Sequence, residues 1–119
     1  SRMTIVAVGT PSVIDQIRHQ LSRLVPVHNV IDLTEMGEHV ERDLALVKIA
    51  GSKDDLKKAN DIASKYGATI MDETTESYVF QYVEDPEKVD EFLEEITPCG
   101  MKNISRTGAA ALSRGKDQI

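Results

Sequence analysis

Few residues in this chain combine a type and a spacing that could do chemistry. His19, His28 and His39 stand nine and eleven residues apart, outside any metal-binding motif, and His19 falls on a helix surface. Cys99 follows Pro98 at a helix end with neither a neighbouring His nor a CxxC partner, so it reads as a half-buried thiol and not a nucleophile. Ser77, Ser105 and Ser113 have no adjoining base. The acidic runs Asp72-Glu73 and Glu84-Asp85-Glu87 lack the ligand spacing of a calcium loop and read as hairpin and N-cap charges. Neither a GxGxxG nor a GxxxxGK(S/T) phosphate cradle occurs. The catalytic and metal-ligating sets are therefore empty. What remains is the turn Ala50-Gly51-Ser52. It brings backbone N–H groups to a helix start where a carboxylate could dock, making Gly51 and Ser52 a candidate ligand loop against the plainer reading of a capped helix.

Composition narrows the class. The 119 residues, 40% hydrophobic and 29% charged, suit a soluble globular chain. No apolar run reaches the roughly 18–20 residues a bilayer requires, which argues against a membrane protein. A single cysteine excludes an internal disulfide and suits a reducing, cytoplasmic setting. A formal charge of −6 argues against nucleic acid as a ligand, because phosphate binding needs clustered cations. Tyr78, Phe80 and Tyr82 alternate like an RNA platform, but no basic-Gly-aromatic pattern surrounds them, and core or interface packing accounts for them better.

Three helices must position whatever these residues do. The first is predicted over Pro11–Leu24, with Thr10 as N-cap and an apolar stripe of Val13, Ile14, Ile17, Leu21 and Leu24. The second spans Lys53–Tyr66, opened by a Ser52/Asp55 capping box and closed by Gly67, with Leu56, Ala59, Ile62, Ala63 and Tyr66 inward. The third opens Asp85-Pro86-Glu87, buries Val89, Phe92, Leu93 and Ile96, and stops around Pro98 and Gly100. Strands are expected at Met3–Val8, Val27–Leu33, Leu44–Ala50, Ala68–Asp72, Tyr78–Val83 and Met101–Arg106, with 72–77 as a hairpin connection. The tail Arg106–Ile119 reads as a fraying terminus, the alternative being an arm that docks on a partner.

The order along the chain is β-α-β followed by β-α-β-β-α-β. The second block is that of a ferredoxin-like (ACT-like) α+β sandwich, in which four antiparallel strands in the order 4-1-3-2 carry two helices on one face. An internal repeat accounts for the first block. Thr10-Pro11 falls on Asp85-Pro86, an offset of 75, and the same offset lays Ile14-Asp15 on Val89-Asp90, Ile17 on Phe92, and Met3, Ile5 and Val8 on Tyr78, Phe80 and Val83. The expected organisation is thus a βαβ half-domain at 1–34, a linker at 35–38 and a complete domain at 39–119. The opening on Ser1 in place of Met fits such a half-domain. Its two strands would flank an empty slot, leaving residues 1–34 poorly packed or completed by a neighbouring copy.

Several runs resemble one family. His39-Val40-Glu41-Arg42-Asp43-Leu44-Ala45-Leu46-Val47-Lys48, Glu76-Ser77-Tyr78, Asp85–Leu93, Arg106-Thr107-Gly108 and Leu112-Ser113-Arg114-Gly115 are similar to the C-terminal domain of the small, regulatory subunit of acetolactate (acetohydroxyacid) synthase. Ser1–Ile5 and Gln20–Val25 resemble the end of that family's N-terminal ACT domain. Asp43 stands where the family more often has Glu, and Thr75 where Pro is common.

The resemblance implies a non-catalytic partner of branched-chain amino-acid biosynthesis. Such a subunit activates the catalytic (large) subunit, in which thiamine diphosphate, Mg2+ and FAD are expected, and mediates feedback inhibition by valine. It implies a homodimer, and an effector site on ACT positions that precede Ser1, so no effector-binding residue carries over. The sheet face of Val79, Gln81 and Val83, and Arg106, Thr107, Gly108 and Arg114 in the tail, are the candidate partner contacts. Two alternatives compete. One is a stand-alone ACT-like amino-acid-sensing module acting on another enzyme. The other is a small acylphosphatase-type enzyme, which would need an Arg beside a phosphate loop where Ala50–Asp54 offers only Lys53.

Overall fold

A computed structural model describes residues 2–24, 27, 30–36 and 38–116. In order the elements are α1 (Pro11–Ser22), α2 (Leu33–Met36), β1 (His39–Ala50), α3 (Lys53–Tyr66), β2 (Thr69–Glu73), β3 (Ser77–Glu84), α4 (Pro86–Ile96), a 3-10 turn (Thr97–Cys99), β4 (Met101–Arg106) and β5 (Ala110–Ser113). They divide into two compact units, one of residues 1–40 with 110–119 and the other of residues 41–109.

The 41–109 unit is the expected α+β sandwich. Its antiparallel sheet runs β2-β3-β1-β4, the ferredoxin-like order. Register follows from alternation. On β1, Asp43, Ala45, Val47 and Ile49 are buried while the residues between them are at least partly open, so a slip of one position would turn four inward side chains to water. Across the strand pair Val47 faces Phe80 and Ala45 faces Tyr82, which places those aromatics on the core side and removes the RNA-platform reading. The hairpin between β2 and β3 is held by Thr74, whose N–H donates to the Ser77 carbonyl at 2.8 Å and whose hydroxyl accepts from the Ser77 and Glu76 amides.

Both helices form where spacing and caps place them. The Ser52 hydroxyl accepts from the Asp55 N–H at 3.2 Å while the Asp55 carboxylate accepts from the Ser52 N–H at 3.3 Å, and Gly67 closes α3 in the left-handed conformation at φ 80°. Leu56, Ala59 and Ala63 of α3 and Val89, Phe92 and Ile96 of α4 complete the core against the sheet. Tyr66 meets Tyr82 and Phe92 edge-on, with ring centroids at 5.9 and 5.5 Å. Gly100 is obligatory: at φ 102° a Cβ there would lie 2.5 Å from the Ala50 carbonyl oxygen, and the close approach lets the Ala50 N–H donate to the Gly100 carbonyl at 3.1 Å. Cys99 is buried beside it, and burial pushes its thiol up.

The other unit departs from expectation. α1 forms, with the Thr10 hydroxyl accepting from Val13 N–H at 3.3 Å, but none of its residues is fully buried, and Val13, placed in the stripe, is 43% exposed. Met3–Val8 is not a strand: the segment carries no regular secondary structure, and Met3, Ile5, Val6 and Val8 are exposed. A strand exists only with a partner for its backbone groups, and no described strand pairs with this segment. The strand expected at Val27–Leu33 falls partly outside the described residues. Those described carry no strand, and Leu33 instead opens α2, with the Asp32 carboxylate accepting from Thr34 N–H at 3.0 Å. The tail, expected to fray, forms β5. This strand pairs with β1, whose first residues His39 and Val40 belong to the same unit, and the Arg114 N–H donates to the Glu38 carbonyl at 3.2 Å. Ala111 is buried, its N–H 3.4 Å from the Thr4 hydroxyl. Backbone pairing, which a small-residue composition does not advertise, overrides the fraying expected of it.

Candidate functional site

Of the residues singled out from the sequence, Arg106 is the best connected. It ends β4 on the helix side of the sheet, opposite Ala45. Its Nε donates to Asp43 Oδ2 and its Nη1 to Asp90 Oδ1, each at 2.6 Å, and its Nη2 donates to the Pro86 carbonyl at 3.2 Å. One guanidinium thus ties β4 to β1 and to the first turn of α4, a role that fits its rigid fork of donors and not a lysine. Its pKa is raised, first by Asp90 and then by Asp43, against the opposing effect of burial.

The partner on β1 explains why so specific a device is present. Asp43 occupies an inward position between hydrophobic neighbours and is 3% exposed. A carboxylate taken from water to that depth costs several kcal/mol unless a cation meets it. Arg106 meets one oxygen, and Oδ1 has no hydrogen-bond partner. Period-two alternation over 43–49 is the signal that could have exposed this acid in the sequence. Asp90, at the opposite end of the fork, could not have been found that way.

Thr107 and Gly108 extend the corner. The Thr107 N–H donates to the Leu44 carbonyl at 3.0 Å, its hydroxyl accepts from the Leu44 N–H at 3.3 Å and donates to the Gly108 carbonyl at 3.0 Å, and Gly108 turns the chain at φ 85°. Arg42 pairs with Asp85 at 2.6 Å on the same side of the unit. Asp85 stands at the N-cap of α4, as the sequence suggests, with its side chain on Arg42 and making no capping bond. Arg114 belongs to the other unit and is exposed.

At Gly51-Ser52 the amides expected to await a carboxylate are already engaged. The Gly51 N–H donates to the Glu76 carbonyl at 3.3 Å, and the Ser52 N–H belongs to the capping box. On the open sheet face, Val79, Lys48, Leu46, Asn103 and Ser105 line a shallow depression of about 310 Å3, and Val83 is 46% exposed. Among the described residues no cluster of three or more His, Cys, Asp or Glu could hold a metal ion, and no helix is long and apolar enough to cross a membrane.

A four-stranded antiparallel sheet in this order with two helices on one face defines a ferredoxin-like, ACT-like α+β domain. The chain belongs to the acetolactate synthase small-subunit family, whose family model, "Small subunit of acetolactate synthase", matches residues 42–115. It is 39% identical to the acetolactate synthase small subunit of Haemophilus influenzae, with all of this chain and 73% of that protein covered. It is likewise 39% identical to the isozyme 3 small subunit of Escherichia coli, covering 97% and 71%. The crystal structure of the Thermotoga maritima small subunit superposes with a TM-score of 0.74 at 26% identity, over 92% of this chain and 68% of that one.

Proposed function

We propose that this chain is a non-catalytic regulatory subunit that binds the catalytic subunit of acetolactate synthase, raises its activity and carries feedback inhibition by valine. The observation behind this reading is the family match across residues 42–115, which takes in nearly all of the compact 41–109 unit. The setting proposed is a cytoplasmic homodimer, with thiamine diphosphate, Mg2+ and FAD held by the catalytic partner. Residues 1–34 are read as the back half of an ACT domain and 39–119 as an ACT-like domain.

Regulation of this kind is a coupling free energy: the effector favours one arrangement of the regulatory subunit, and the enzyme senses it through contacts that differ between arrangements. Among the candidate contacts, Arg114 has an exposed side chain, whereas Arg106 spends its donors on Asp43, Asp90 and Pro86. We therefore assign Arg106 to shaping the corner and Thr107, Gly108 and Arg114 to the partner surface. The test is to mix the full chain with a cognate catalytic subunit and measure acetolactate formation and co-elution, with and without valine. Co-elution with raised activity is expected. Neither binding nor a change in rate would overturn the proposal.

A further inference from the structure

A groove of about 600 Å3 lies in the 41–109 unit between the first two turns of α3 and the β2–β3 hairpin. Lys53, Leu56, Lys57 and Asn60 recur at helical spacing and so present one face of α3 to it, while Glu73 and Tyr78 line it from the hairpin. Leu56 is buried and forms an apolar floor beside the half-buried Tyr78 ring.

Its donors are unused. Among the described residues, the side chains of Lys53, Lys57, Asn60 and Tyr78 have no hydrogen-bond or ion-pair partner. Elsewhere in the same unit Arg42, Lys65 and Arg106 are paired with carboxylates, whereas Lys48, Lys58, Lys88 and Lys102 have no ion-pair partner among the described residues; Lys53 and Lys57 differ from these four in lining one groove together. Two cations and one acid line the groove itself, while Asp54, Asp55 and Glu76 stand outside its lining, in a chain whose formal charge is −6. The Gly51 and Ser52 amides take no part, being engaged within their own loop.

We propose that this groove binds a small organic anion, its anionic head group on Lys53 and Lys57 and its apolar body over Leu56 and Tyr78. The volume lies within the roughly 300–1,000 Å3 of small-molecule sites, and an apolar floor with a few convergent polar groups is their usual make-up. Two lysines one turn apart act as point charges suited to a phosphate or carboxylate.

The probe is phenyl phosphate, titrated into the 15N-labelled 119-residue chain and followed by amide chemical shifts, with inorganic phosphate and phenol as parallel arms. Saturable shifts confined to residues 53–60 and 73–78 are expected, weakening as salt is raised. Lys53→Ala/Lys57→Ala, which favours the helix by propensity and should fold, is expected to raise Kd about tenfold or more. Three results would overturn the proposal: no saturable shifts, shifts centred elsewhere, or undiminished binding in the double variant. Inorganic phosphate binding as tightly as phenyl phosphate would overturn the assignment of the apolar body to Leu56 and Tyr78.

Discussion

Replacing Arg106 by Met should reveal what the arginine corner contributes to the 41–109 unit. Arg106 makes two carboxylate contacts of equal length, 2.6 Å, to partners in opposite environments: the Asp43 side chain is 2% exposed and that of Asp90 65% exposed. An exposed pair contributes about 0.2–1 kcal/mol, because water screens it and two mobile side chains must be held. Breaking a buried pair costs about 3–5 kcal/mol, because the abandoned charge stays in the interior. Since the Arg106 side chain is itself 31% exposed, water entering behind Met would hydrate Asp43 in part and bring the loss to the lower end, about 3 kcal/mol. Asp90→Ala should cost less than about 1 kcal/mol. The decisive comparison is Asp43→Leu/Arg106→Met, which removes the stranded charge along with its partner. Despite carrying one more substitution, it should be more stable than Arg106→Met alone. Urea unfolding followed by tyrosine fluorescence suits the measurement, because Tyr66, Tyr78 and Tyr82 all lie within residues 41–109 and report that unit. The reasoning fails if Arg106→Met costs no more than Asp90→Ala, or if the double variant is the less stable of the two.

Gly100→Ala should lose more than about 2 kcal/mol, since it combines a left-handed residue with a Cβ set against the Ala50 carbonyl. Gly67→Ala, also left-handed but facing open space, should lose only about 1 kcal/mol; equal losses in urea melts would show that the clash is relieved by movement. Ser52→Ala removes the acceptor of the α3 capping box and should cost about 1 kcal/mol in the same assay. Tyr66 is pushed up to about 12, chiefly by the neighbouring Glu95 carboxylate, so in a spectrophotometric titration Glu95→Ala should bring its ionisation back toward 10. A folded pKa raised above its unfolded value contributes stability that is complete below pH 10 and is lost as pH rises toward 12. Wild-type stability should therefore fall more steeply than that of Glu95→Ala across that window, and parallel profiles would rule the contact out as the cause.

Most of the 41–109 unit was legible in the sequence because its signals are local and mutually consistent. Thr74 and its neighbours turn the hairpin, Ser52 and Asp55 cap α3, Pro86 opens α4, and the two stripes at Leu56–Ala63 and Val89–Ile96 have one sheet to cover. The order of strands follows from the order of elements. The strand expected at Met3–Val8 was misread for the opposite reason. Met3–Val8 has the apolar content of a strand and even aligns with Tyr78–Val83, but strand propensity is no more than a preference for a pleated, half-buried surface. β3 is paired on both sides whereas Met3–Val8 pairs with no described strand, so similar residues form a strand in one place and an exposed segment in the other. Ala110–Ser113 shows the converse, a weak strand sequence recruited because a backbone partner is present.

The sequence by itself determined the ferredoxin-like frame, since helix periodicity, caps and strand alternation are short-range properties written residue by residue. Only the tertiary structure decided what the charged residues do. Arg106 and Asp43 are sixty-three positions apart, and nothing local distinguishes Arg106, locked onto a buried acid, from Lys53 and Lys57, which are left open over a groove. Charges act through space, and the distance and burial that set their strength come into being only when the chain has folded.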